Sequence, residues 1–311
     1  MIKRTLYFGN PAYLSKRNAQ LVLRLPEVEK NDSISMKFKQ EAERTIPIED
    51  IGVVVLDNKQ ITITQGLLDA LLGNNVAVIT CDEQRMPVGL LLPLNGNSIQ
   101  NERFRNQINI SQPLRKQLWQ QTIQMKILNQ KSLLNKYRPE IETGNMKAWI
   151  NDVKSDDADN HEARAAAYYW KNVFSALPNF IRGRDEDAPN NVLNYGYAIL
   201  RAIVARSLVC VGLLPTLGIH HHNRYNAYCL ADDIMEPYRP YVDEIVVRLL
   251  NSKKDVTCLT QEIKAELLGL SVVEVKIGGK RSPLMVAVNT TAMSLYKCMA
   301  GMSRKIIYPE F

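Results

Sequence analysis

The hydrophobic pattern of this chain changes period once, and the change limits the folds open to it. Before residues 93–98, short apolar runs alternate with polar residues as strands do, at 20–25, 53–56, 60–64, 76–80 and 90–92. Only 65–72 has a helical period there, and Gly73-Asn74-Asn75 closes it as a helix end would. After the turn-rich PLNGNS at 93–98, helical periods take over. They are expected at 99–110, from 113 to about 137, from 162 to about 175, at 190–212, 226–236, 242–250, 259–268 and 286–302. A short hairpin is expected around Gly278-Gly279. Ser111-Gln112-Pro113 offers an N-cap with proline in the first turn, and Gly212 and Pro215 end the long apolar helix. The expectation is an α+β chain. A small N-terminal β domain spans 1–92, a linker 93–98, and a larger all-helical domain 99–311.

Hydrophobic residues make up 46% of 311, enough to bury a core in each domain. No glycine-rich phosphate loop is present, which argues against a nucleotide fold. Five cysteines with no C-x-x-C pair point to reduced thiols, and MIKRTLYFGN lacks the apolar core of a signal peptide. The apolar run 198–214 is interrupted by Arg201 and Arg206, so it reads as a buried helix rather than a membrane span. The net charge of +7 suits a polyanionic partner. Arg103, Arg105, Arg115, Lys116, Lys126, Lys131, Lys136 and Arg138 fall within two successive helices. They form either a solvated face or a phosphate-contacting surface. The polar loop RGRDEDAP could carry Arg182 and Arg184 to a ligand.

Chemistry concentrates in 217–240, LGIHHHNRYNAYCLADDIMEPYRP. His220, His221 and His222 stand together there, and the fourth histidine, His161, precedes Glu162. Adjacent side chains diverge too far for all three histidines to reach one ion. Asp232 and Asp233 lie four and three residues before Glu236, so either could share a helix face with it. Few histidines with several carboxylates suit magnesium or manganese better than structural zinc. H-E-x-x-H and zinc-finger cysteine spacings are absent. Metals held by such a set act on phosphodiesters. The bland account makes each histidine structural and Glu162 a helix-start carboxylate.

The run NNVLNYGY, then GIHHHN, then LADDIMEPYRP, together with LYFGNPAYLSKRNAQLVL near the N-terminus, resembles one known family. It is the CRISPR-associated integrase that captures new spacers, the universal adaptation nuclease, and its flavour here is that of type II systems. The resemblance covers essentially the whole chain. It implies that Glu162, His221 and Glu236 hold a divalent metal, Mg2+ or Mn2+, and carry catalysis. Glu236 matches the end of the family's D-x-x-E run, here begun by Asp233. His220 competes with His221 for register, while Asp233, Asn191 and Asn194 are supporting groups. The implied reaction is attack of a DNA 3′-hydroxyl on a phosphodiester of the CRISPR repeat, with nuclease action when water attacks instead. The implied assembly is a homodimer paired through its β domains around a small ferredoxin-like CRISPR-associated partner, in a prokaryotic cytoplasm and off the membrane. The type II effector nuclease is a further candidate partner. In that setting Arg103, Arg105, Arg115, Lys116, Arg182 and Arg184 are candidates for holding spacer DNA by its backbone. Two other readings compete: a DNA-binding scaffold with a degenerate site, and a zinc hydrolase built on the histidines.

Overall fold

The computed structural model describes residues 3–174, 177, 179–183 and 187–311. The chain divides into two compact units, Met1–Gly96 and Asn97–Phe311.

Among its described residues the first unit carries eight strands: β1 (Arg4–Phe8), β2 (Ala12–Arg17), β3 (Gln20–Arg24), β4 (Arg44–Pro47), β5 (Ile51–Leu56), β6 (Ile61–Ile63), β7 (Ala77–Cys81) and β8 (Pro87–Leu91). Three helices join them: α1 (Pro26–Glu29), α2 (Met36–Ala42) and α3 (Gln65–Gly73). One sheet runs β1-β5-β7-β8 and the other β4-β3-β2-β6. Strand β5, IGVVVL, is buried from Ile51 to Val55, as a central strand covered on both faces must be. It pairs in parallel with β1 and β7. Parallel neighbours need a crossover, and α3 lies on the path from β5 to β7. One βαβ unit is therefore present, rather than a repeat of them. Leu67 and Leu71 of α3 join Leu14 and Leu21 of one sheet and Ile51, Val54 and Val78 of the other in a shared core. Asn18 and Ala19 turn β2 into β3 with φ of 49 and 59°, the left-handed pair that a two-residue hairpin requires.

The second unit is helical: α4 (Gln100–Ile108), α5 (Gln112–Tyr137), α6 (Gly144–Asp152), α7 (His161–Val173), α8 (Asn190–Val211), α9 (Cys229–Met235), α10 (Arg239–Asn251), α11 (Gln261–Leu268) and α12 (Leu284–Met299). The expected hairpin forms from β9 (Glu274–Ile277) and β10 (Lys280–Pro283), and the tail adds β11 (Pro309–Glu310) on the other edge of β9. Among the described residues, this small sheet is the departure from an all-helical domain.

Helix α8 passes for a membrane span in length and composition, but 78% of its most apolar window is buried inside the unit. It packs against α9, α10, α11 and α12. Gly212 ends it with φ +78°, and an added Cβ would meet Asn97 and Arg103 at 3.0–3.2 Å. The 26-residue α5 packs against α6, α7 and α10 and against the turn Glu236–Tyr238. The Ser111 Oγ accepts from the Leu114 N–H to start it. The site is built where α5, α7 and α9 meet.

Candidate active site

Glu162 is the second residue of α7, and an aspartate just upstream fixes it there. The Asp157 carboxylate accepts from the His161 N–H at 3.0 Å and from the Glu162 N–H at 2.9 Å. It caps two otherwise unsatisfied donors at the positive end of the helix. Glu236 sits where α9 ends and Pro237 turns the chain into α10, and it is 5% exposed. Its Oε1 accepts from Arg239 Nε at 2.8 Å. Between the two glutamates lies Lys126 of α5, 9% exposed. Its Nζ is 2.6 Å from Glu162 Oε1, to which it donates, and 2.6 Å from Glu236 Oε2.

The electrostatics of this knot are one-sided. Burial pushes the Glu236 carboxyl up, but Arg239 and Lys126 more than offset it and leave it at about 2. Burial works against the Lys126 charge, but Glu236 and Glu162 hold the ammonium above its ordinary value. Glu236 and Lys126 therefore both stay ionised at neutral pH.

The histidine loop hangs on Asp233 of α9, which is fully buried. Its carboxylate accepts from the backbone N–H groups of Ile219 (2.7 Å), His220 (3.0 Å) and His221 (3.3 Å). It also lies 2.5 Å from His221 Nδ1. Gly218 is required beside it: a Cβ there would sit 2.4 Å from the His221 carbonyl oxygen and 2.8 Å from Asp233 Oδ2. The hydrogen bond to Asp233 raises the His221 pKa against its partial burial, with Glu236 and Glu162 adding to the rise. Held through Nδ1, His221 keeps Nε2 free to serve as a ligand. His220 instead stacks flat on Trp119, with ring centroids 4.2 Å apart and planes at 3°. His222 is exposed and lines a cavity of about 320 Å3 together with Arg115, His221, Asn223 and Arg224.

The donor set fits a hard divalent cation in kind: two carboxylates and one imidazole, each oriented by a second polar group. Glu236 Oε2 is buried, and the Lys126 ammonium 2.6 Å away is its charge partner. An oxygen in that state calls for a cation. Among the described residues, however, no three His, Cys, Asp or Glu side chains already close around one point. Lys126 holds the place between the two glutamates.

Several expected roles look different in the fold. Asp232 is paired with Arg201 (2.6 and 3.2 Å) and with Asn226 (2.7 Å), so it does not share a task with Glu236. Asn191 ties α8 to the carbonyls of Val256 and Thr257. Asn194 accepts from Arg182, whose guanidinium also bonds Asn190 and lies over the Tyr197 ring. Arg182 is thus anchored to α8. Arg184 lies outside the described residues. Arg103 bonds the Val211 carbonyl at the end of α8 and stacks on Tyr296 at 4.2 Å, a structural placement. Arg105 and Lys116 are exposed, and Lys116 lies 3.2 Å from Asp156. Arg115 stands beside the histidines. His161 is buried on the wall of another cavity with Lys154, Asp159 and Arg164. Lys126, counted in the sequence as surface charge, turns out to be central. Arg239 and Trp119 had no signal beyond their residue types, whereas the acidic run 156–160 ahead of Glu162 already suggested a carboxylate at that helix start.

Known proteins resemble this chain in sequence and in fold. The family model for CRISPR associated protein Cas1 matches residues 12–259. The CRISPR-associated endonuclease Cas1 of Neisseria meningitidis serogroup C is 35% identical over 306 residues, covering 98% of this chain and 94% of that protein. A Cas1 endonuclease of Pyrobaculum aerophilum is 27% identical over 273 residues, covering 84% of this chain and 91% of its own. Among solved structures, a casposase bound to integration product aligns with TM-score 0.76 at 20% identity, over 98% of this chain and 92% of its own. A CAS1 protein from Thermotoga maritima aligns with TM-score 0.73 at 15% identity, over 96% and 97%. These structural likenesses carry the fold. With the family model spanning most of the sequence and a relative above 30% identity spanning nearly all of it, the chain belongs to the CRISPR-associated Cas1 family.

Proposed function

We propose that this chain is a metal-dependent DNA endonuclease and integrase that inserts spacer DNA into a CRISPR array. The observation that carries the reading is the convergence of Glu162 and Glu236, from α7 and the end of α9, beside a histidine that Asp233 orients. Glu162, Glu236 and His221 would hold Mg2+ or Mn2+. The bound ion would supply positive charge against the charge that builds on phosphate oxygens during displacement.

The chain's own groups do the rest. Arg239 and Lys126 keep Glu236 ionised, and Asp233 keeps His221 with Nε2 presented. Arg115 and Arg224, on the cavity wall beside His221, are placed to grip backbone phosphates without reading sequence. In the proposed reaction the 3′-oxygen of the spacer strand bonds to a repeat phosphorus and releases its proton. The bond from that phosphorus to the 3′-oxygen of the preceding nucleotide breaks, the leaving 3′-oxygen takes up a proton, and the spacer 3′-end is left joined to the 5′-phosphate. With water in place of the 3′-hydroxyl, the same displacement is hydrolysis.

Relatives and neighbours support the setting. The Neisseria relative is named an endonuclease, and the chain also aligns with TM-score 0.73 over its full length with part of a Cas6-RT-Cas1–Cas2 complex. On this reading the protein works in the prokaryotic cytoplasm as a homodimer paired through the N-terminal unit, around a small ferredoxin-like partner. The type II effector nuclease is a further candidate partner.

The test is strand transfer of a short duplex into a repeat-bearing plasmid by the full-length protein with its small partner. Joined product is expected with Mn2+ or Mg2+ and none with excess chelator. Tight DNA binding with no joining or cleavage under any metal would favour the scaffold reading instead.

A further inference from the structure

Lys126 occupies a place that a surface lysine has no reason to occupy. It lies on the buried side of α5, and its ammonium touches one carboxylate oxygen from α7 and one from the end of α9 at the same 2.6 Å. The glutamate opposite has its other oxygen on Arg239, so among the described residues Lys126 is the cation that touches both carboxylates. Two ionised carboxylates sharing a buried site repel strongly unless a cation lies between them. A divalent ion bound to Glu162 Oε1 and Glu236 Oε2 needs the same space and the same lone pairs. The lysine and the ion cannot both hold them.

We infer that Lys126 is a built-in counter-ion of the metal site. It holds Glu162 and Glu236 in position in the metal-free protein and must leave the space between them for a divalent cation to enter. It acts as a positioning residue rather than a ligand, and metal binding becomes an exchange of one cation for another. The inference rests on the metal-dependent reading above. It explains why the donors converge without enclosing a ready-made ion site among the described residues. It also accounts for how half-buried Glu162 and buried Glu236 stay close in the metal-free protein.

The experiment is a direct Mn2+ titration of the full-length protein, read as free Mn2+ by electron paramagnetic resonance, for wild type, Lys126→Met and Glu236→Gln. Removing the competing ammonium should tighten Mn2+ binding by about tenfold or more, while Glu236→Gln should weaken it. The metal-free Lys126→Met protein should melt below wild type, and saturating Mn2+ should close that gap. Equal or weaker Mn2+ affinity in Lys126→Met, with wild type binding normally, overturns the inference and leaves the metal reading standing. No Mn2+ binding by either protein overturns both. Should Lys126→Met fail to fold, acetylation of Lys126 in the wild type, quantified by mass spectrometry, decides the matter. Labelling should rise when Mn2+ is added, and unchanged labelling in a protein that demonstrably binds Mn2+ contradicts the exchange.

Discussion

One aspartate, Asp233, distinguishes three histidines that spacing alone cannot. It accepts three backbone N–H groups of the loop and holds His221 Nδ1, while His220 is stacked away on Trp119. His221→Ala should therefore abolish strand transfer. His220→Ala should retain most of it, with a loss no larger than the several-fold expected from disturbed stacking. A His220→Ala protein as inactive as His221→Ala would place the ligand wrongly. A second residue gives a pH signature. Asp243 accepts from Tyr169 at 2.8 Å and from Tyr197, and burial pushes its carboxyl from 3.8 up to about 6, against the pull of both hydroxyls and of Arg239 and Arg182. A raised carboxyl favours the protonated folded state. Its stabilisation is thus fully present below the unfolded value and lost as pH rises through about 6. Relative to Asp243→Asn, the wild type should lose up to about 3 kcal/mol of denaturant-measured stability between about pH 4 and pH 7. A pH-independent difference would refute that assignment.

Elements explain what the sequence revealed and what it hid. The two long helices α5 and α8 were legible because their stop and start residues are local: Ser111 and Pro113 for one, Gly212 for the other. Helix α6, GNMKAWIND, was not, because it opens on glycine and fully buries only Met146, too few apolar positions to show a period. Strands β1 and β2 were equally faint: β1 is mostly half-buried, and β2 fully buries only Ala12 and Leu14. Glu162 and Glu236 were reached through family resemblance. Lys126 was misjudged because a lysine between two carboxylates from distant helices leaves no local pattern. The cap on α7 offers an element-level test. Asp157→Ala removes both hydrogen bonds that seat His161 and Glu162. It should cost about 1 kcal/mol of stability and weaken Mn2+ binding several-fold, because the helix end that carries Glu162 loosens. Unchanged metal affinity would mean that Glu162 is positioned by Lys126 alone.

At the scale of the whole molecule, each compact unit has its own core, and the candidate chemistry lies wholly in the second. The proposed pairing through the N-terminal unit predicts that light scattering at micromolar concentration finds twice the 35.3 kDa chain mass. A monomer at all concentrations would remove that role. The net charge of +7 predicts DNA binding that weakens steeply with salt and barely depends on sequence. Fold class was legible from the change of period and composition, whereas the parallel strands around α3 required knowing which runs pair. The central claim is that Glu162, His221 and Glu236 form one metal-dependent centre, and it stands or falls on Glu236. The most direct measurement is the rate of strand transfer by Glu236→Gln in Mn2+ beside wild type, both with the small partner and with DNA affinity checked in parallel. A loss of at least about a thousandfold with DNA binding intact is expected for a removed metal ligand, whereas integration by Glu236→Gln at the wild-type rate would contradict the account.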